Sequence, residues 1–137
     1  MAESIRVREV VLKEMLLQAR RDPQIECCGL LAGRNGVITE IFPASNALAS
    51  ATAYEIAPPE LFELFRILRE EKLTHLGQYH SHLSSENIPS PTDIEQAGYP
   101  DQAYFIVSLL ADAPKPVRAF SIRDGAVREL EIIATTP

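Results

Sequence analysis

The sequence has no apolar run long enough to cross a bilayer, so no membrane-spanning helix is expected. Basic residues are also scarce, with 13 Lys and Arg against 19 Asp and Glu and a formal net charge of -6. A nucleic-acid surface needs clustered cations to replace counterions, so no nucleic-acid partner is expected, although a local basic patch is compatible with this balance. There are only two cysteines, Cys27 and Cys28. Adjacent in the chain, they are poorly placed to pair with each other, and reduced thiols in a cytoplasmic protein are the expectation. The first ten residues, MAESIRVREV, carry acidic side chains and no apolar core, so no secretory signal is expected. Low-complexity tracts and internal repeats are missing as well. What remains is a globular composition, 46% hydrophobic and 23% charged over 137 residues. That suits one hydrophobic core and a single domain over residues 1–137.

Hydrophobic periodicity orders this chain into alternating helices and strands. Leu12, Met15, Leu16 and Ala19 recur at helical spacing over residues 9–21, with Arg20 and Arg21 at the end and Pro23 beyond. Two apolar runs, 27–33 and 36–42, flank Asn35-Gly36, a strong hairpin signal. Small residues at 43–53 read as a surface loop. Pro58-Pro59 opens a second helix, whose apolar face carries Leu61, Leu64, Phe65 and Leu68. Residues 73–82 read as a strand, and 103–110 as a central strand covered on both faces. Asp124-Gly125 separates two further strands, 117–123 and 126–133, as a second hairpin. Helices falling between groups of strands predict an α/β fold, one mixed β-sheet flanked by helices.

The stretch HSHLSSENIPSPTD, residues 80–93, concentrates the chemistry. Side chains two apart on a strand share a face, so His80 and His82 stand together, while strict alternation puts His75 on the other face. Two such imidazoles form half of a zinc or iron site. Asp93 can add a carboxylate oxygen, giving two histidines and one aspartate with a fourth position open, the layout of catalytic zinc. Glu86 is an alternative third ligand that the spacing favours less. Ser90-Pro-Thr-Asp93 also has the form of a helix capping box, and both readings hold together if the helix start aims Ser90 and Asp93. Other hydrolytic arrangements are missing: there is no His-Glu-x-x-His, no deaminase His-x-Glu with Pro-Cys-x-x-Cys, and no glycine-framed serine elbow. Cys27 and Cys28 read as buried strand thiols rather than nucleophiles.

The spacing His80-Ser-His82, seven residues, Ser90, two residues, Asp93 resembles the signature of the JAMM (MPN-plus) metallopeptidases. Glu26-Cys-Cys-Gly-Leu-Leu-Ala-Gly33 is similar to the upstream glutamate and strand of that family. Leu83 stands where many relatives have proline. The resemblance covers nearly the whole chain and implies a cytidine-deaminase-like α/β fold. It implies one Zn2+ per chain on His80, His82 and Asp93, with a water that also contacts Glu26. It further implies hydrolysis of an amide or isopeptide bond at the C-terminus of a ubiquitin-like or sulfur-carrier protein. Glu26 would serve as general base and Ser90 as donor to the developing oxyanion. The substrate's tail is expected along an exposed strand edge, beside the loop at 83–89. Alternatives are a non-catalytic interaction module of the same fold, or a hydrolase of small acyl-amino acid amides.

Overall fold

A computed structural model describes residues 3–136. Among the described residues, seven strands and three helices follow one another as β1 (Ser4–Arg8), α1 (Glu9–Arg21), β2 (Cys28–Arg34), β3 (Val37–Ala44), α2 (Pro58–Glu70), β4 (Thr74–His82), α3 (Pro91–Gln96), β5 (Ala103–Ser108), β6 (Val117–Arg123) and β7 (Ala126–Thr135). The strands form one mixed sheet in the order β1-β3-β2-β4-β5-β6-β7, closed into a ring by parallel pairing of β7 with β1. Closure depends on β1, a five-residue strand that the periodicity analysis leaves out. Its partners are β3 and β7, both distant in sequence, and only Val7 of its residues is fully buried.

The two hairpins form where turn chemistry places them. Asn35 and Gly36 have φ of 55° and 74°, and Asp124 and Gly125 have 50° and 80°. Positive φ at both central residues matches the twist of the flanking strands, and these residue types tolerate it. Helix α1 buries Val11, Met15 and Ala19, with Glu9 in its first turn and Arg20 and Arg21 in its last, in accord with the helix dipole. Pro58 and Pro59 start α2, where a missing N–H costs nothing.

Alternation along the central strands builds separate layers. Leu31, Tyr79, Phe105 and Val107 pack inward with Val11 and Met15 of α1. Leu30 and Ala32 face outward against Leu64 and Leu68 of α2. Tyr104 and Ile106 face outward beside Ile94, Ala97 and Tyr99, at and just beyond α3. Covering on both faces explains the unbroken apolar runs of β2 and β5.

Strand β4 is paired on one side with β2 and on the other with β5, so the strand edge expected to hold a substrate tail belongs to another strand. One expectation needs correction: strict alternation fails within β4. Leu31 pairs with Gly77 but Ala32 pairs with His75, so Leu76 is an extra residue in a bulge. The bulge returns His75 to the face that carries Gln78, His80 and His82. His75 nonetheless lies apart from the pair, wedged edge-on between Phe65 and Tyr99.

Candidate metal centre

The end of β4 and the start of α3 bring three ligand atoms to one point. His80 Nε2 lies 3.2 Å from His82 Nε2 and 3.2 Å from Asp93 Oδ2, and His82 Nε2 lies 3.1 Å from the same oxygen. These three side chains form the candidate metal-binding cluster found among the described residues. A tetrahedral zinc with bonds of about 2.0–2.1 Å holds its ligand atoms roughly 3.3 Å apart, so this spacing fits the ion. His80 and His82 are buried, and Asp93 is half-buried.

His82 and Asp93 are each aimed by a second contact. His82 Nδ1 donates to the carbonyl oxygen of Glu86 at 2.7 Å, so in neutral His82 the lone pair is on Nε2 and points inward. Glu86 therefore contributes its main chain rather than its carboxylate, and the Glu86 side chain is exposed. The capping box is present in full: Asp93 N donates to Ser90 Oγ at 3.0 Å, and Ser90 N donates to Asp93 Oδ2 at 2.9 Å. The helix start thus sets the position of Asp93, and the hydroxyl hydrogen of Ser90 remains free to donate. The loop between His82 and Ser90 is pinned by buried Asn87, which donates to the carbonyls of Ile106 at 3.3 Å and Lys115 at 2.8 Å. Ser108 Oγ adds a bond to the Ser85 carbonyl at 2.9 Å.

The upstream Glu26 arrives through the pairing of β2 with β4. Cys28 pairs with His80, and Cys27 exchanges main-chain and hydroxyl bonds with Ser81: Cys27 N to Ser81 Oγ at 2.8 Å, and Ser81 N to Cys27 O at 3.1 Å. Glu26 is only 5% exposed although it is a carboxylate. Burial pushes its carboxyl up to about 7, with His82 drawing it down and Asp93 pushing it up. Glu26 therefore shares an electrostatic environment with the cluster while lying outside the ligand set.

The three side chains of the cluster shift in different directions. Burial lowers the pKa of His80, against the pull of Asp93. Burial also works against the charged form of His82, but Asp93 and the Glu86 carbonyl outweigh it and the net shift is upward. Burial opposes ionisation of Asp93 too, yet bonds from His80 and His82 hold its carboxyl far below the usual range. Cys27 and Cys28 are free thiols whose pKa burial raises, that of Cys28 to about 12, so neither is an activated nucleophile.

Three contributors escaped the sequence analysis: Asn87, Asn46 and Tyr54. The Tyr54 ring stacks on His80 at 4.5 Å between centroids and 21° between planes. Nothing in the local pattern marks them, because each acts through contacts remote in sequence.

Residues 8–123, which contain every group of this site but leave out most of β1 and all of β7, match the prokaryotic homologs of the JAB domain. The chain belongs to this family. Several known proteins are similar to it over most of their length. The CysO-cysteine peptidase of Mycobacterium tuberculosis is 34% identical over 125 residues, spanning 90% of this chain and 86% of the relative. A desampylase of Haloferax volcanii is 36% identical over 104 residues, 74% of this chain and 75% of the relative. A protein of Desulfitobacterium hafniense with a solution structure is 32% identical, with a TM-score of 0.85 over 97% of this chain and 94% of its own.

Proposed function

We propose that this JAB-family chain is a zinc-dependent peptidase that cuts the amide or isopeptide bond at the C-terminus of a ubiquitin-like or sulfur-carrier protein. The observation that carries the reading is the meeting of His80 Nε2, His82 Nε2 and Asp93 Oδ2 beside buried Glu26. Zinc held there supplies Lewis acidity, lowering the pKa of water to about 7 and polarising a carbonyl. The names of the relatives, a CysO-cysteine peptidase and a desampylase, support hydrolysis and a protein substrate.

The chain's own residues divide the remaining work. Glu26, poised near neutrality, takes the proton of the attacking water and delivers it to the departing amine, so hydroxyl goes to the acyl carbon and hydrogen to nitrogen. Ser90, whose Oγ already accepts from Asp93 N, turns its hydrogen toward the oxyanion as it develops. The tail is placed against the loops after β3 and after β4, on which Leu48 and Ile88 are exposed. Reduced Cys27 and Cys28 suit a reducing, cytoplasmic setting.

Incubating the zinc-loaded protein with ubiquitin-like carriers bearing C-terminal extensions, followed by intact-mass measurement, tests the reading. The expected result is loss of the extension with wild type and its retention with Glu26→Gln. Uncut carriers together with hydrolysis of small acyl-amino acids would reassign the substrate to the small amides. No hydrolysis of either class would leave a non-catalytic module.

A further inference from the structure

The loop between β3 and α2, residues 45–57, touches both halves of the centre. Asn46 organises it. Its Nδ2 donates to the carbonyls of Glu26 at 3.1 Å and Ala53 at 2.9 Å, with a longer contact to Ser50 O at 3.4 Å. Its Oδ1 accepts from Leu48 N at 3.0 Å and Glu55 N at 3.2 Å. In return, Glu26 N donates to Ser50 O at 2.9 Å, so the loop holds the main chain of Glu26 by both its N–H and its C=O. Ala47 N closes the neck of the loop on Glu55 O at 2.8 Å. The carboxylate of Glu60 on α2 fixes the loop's beginning through Ser45 N at 3.1 and 3.2 Å. One residue before Glu55, Tyr54 lays its ring on His80.

We propose that this loop is a positioning clamp: Asn46 ties the main chain of Glu26 to the segment bearing Tyr54, and Tyr54 fixes the plane of His80. The inference rests on the metal-centre reading given above. Ligand and proton carrier come from different strands, and hydrolysis needs their separation held closely, since a displacement of about 1 Å can cost roughly 10²-fold. A β2–β4 ladder alone orients the two main chains. The clamp adds control of the His80 ring plane and of the residue at which β2 has not yet begun, Glu26. Tyr54 and Asn46 are positioning residues, since neither is a ligand or reaches the reacting atoms through a bond of its own.

The test uses the whole protein with Zn2+ in competition against a chromophoric chelator, the visible spectrum of the Co2+ form, and hydrogen exchange of the Glu26 amide. Tyr54→Leu removes the stacked ring and should weaken zinc binding roughly 10- to 100-fold, as loss of a ligand's supporting contact does. It should also change the cobalt band shape. Tyr54→Phe keeps the ring and should restore wild-type affinity and spectrum. Asn46→Asp retains the acceptor for Leu48 N and Glu55 N but has no hydrogens for Glu26 O and Ala53 O. It should speed exchange of the Glu26 amide and reproduce the cobalt change of Tyr54→Leu. Wild type that binds zinc while Tyr54→Leu matches it in affinity and spectrum overturns the clamp alone, as does Asn46→Asp with unchanged exchange and spectrum. Wild type that binds no zinc overturns both the clamp and the metal-centre reading. Should Asn46→Asp fail to fold, the Tyr54 pair decides, because neither substitution touches the hydrogen-bond frame of the loop.

Discussion

His82 donates from Nδ1 to the carbonyl oxygen of Glu86 across 2.7 Å, and this one bond decides that Nε2 is the atom facing Asp93. It converts a histidine on a strand into an oriented candidate ligand. It also gives the loop after β4 a task, because the carbonyl must be held where the imidazole can reach it.

Asp93 Oδ2 both accepts from the helix cap and faces the candidate metal set, and substitution separates the two. Asp93→Asn keeps an oxygen for Ser90 N but loses the charge, whereas Asp93→Ala loses both. Both variants should purify with much less than one zinc per chain by metal analysis. His80→Ala should do the same. In metal-free protein at alkaline pH, where His82 is neutral, Asp93→Ala should unfold more easily by about 1 kcal/mol while Asp93→Asn stays near wild type. A full zinc complement in Asp93→Asn would remove the carboxylate from the ligand set.

Glu26→Gln preserves shape and leaves the three ligands untouched. Zinc content should remain at the wild-type level, and turnover of the cleaved carrier should fall roughly 10²–10⁴-fold, the usual worth of general acid–base help. Unaltered turnover by intact-mass assay would take Glu26 out of the chemistry.

The pH behaviour of Glu26 has a definite sign. Its carboxyl stands raised from 4.5 to about 7 in the folded protein. As pH rises from about 4.5, the unfolded chain ionises first, so the folded state is progressively penalised and the full penalty is reached above about 7. Metal-free wild type should therefore lose stability over this window relative to Glu26→Gln in denaturant titrations. A nearby cation favours the ionised carboxylate, so zinc binding near neutral pH should expel a proton from Glu26. Calorimetry in buffers of different ionisation enthalpy should find fewer protons released by Glu26→Gln, and equal release would contradict this account.

Asn87 is 2% exposed and spends both amide hydrogens on the carbonyls of Ile106 and Lys115. Asn87→Ala leaves those acceptors unpaired and should cost about 1–3 kcal/mol in denaturant unfolding. The loosened loop also carries the Glu86 carbonyl, so zinc affinity should drop by about tenfold or more. A destabilised variant with unchanged zinc affinity would show that Glu86 is held independently of Asn87.

Local rules account for a large part of this protein. Helical spacing locates α1 and α2, and Asn35-Gly36 and Asp124-Gly125 form the two turns because those residues accept positive φ. The two-residue repeat of a strand puts His80 beside His82, and Ser90-Pro-Thr-Asp93 caps a helix through its own side chains. Each of these depends on neighbours within a few positions, which is why residue order alone determines it. Tertiary structure decides what depends on partners far away. Strand β1 exists through parallel pairing with β3 and β7, and closes the ring. The bulge at Leu76, which reverses the face of His75, is defined only against the register of β2. Glu26 becomes a buried carboxyl beside the cluster because Cys28 pairs with His80, 52 positions further on. Asn46 and Tyr54 gain meaning only once the loop folds over that pairing, since a hydrogen bond or a ring contact depends on proximity in space and not on distance along the chain.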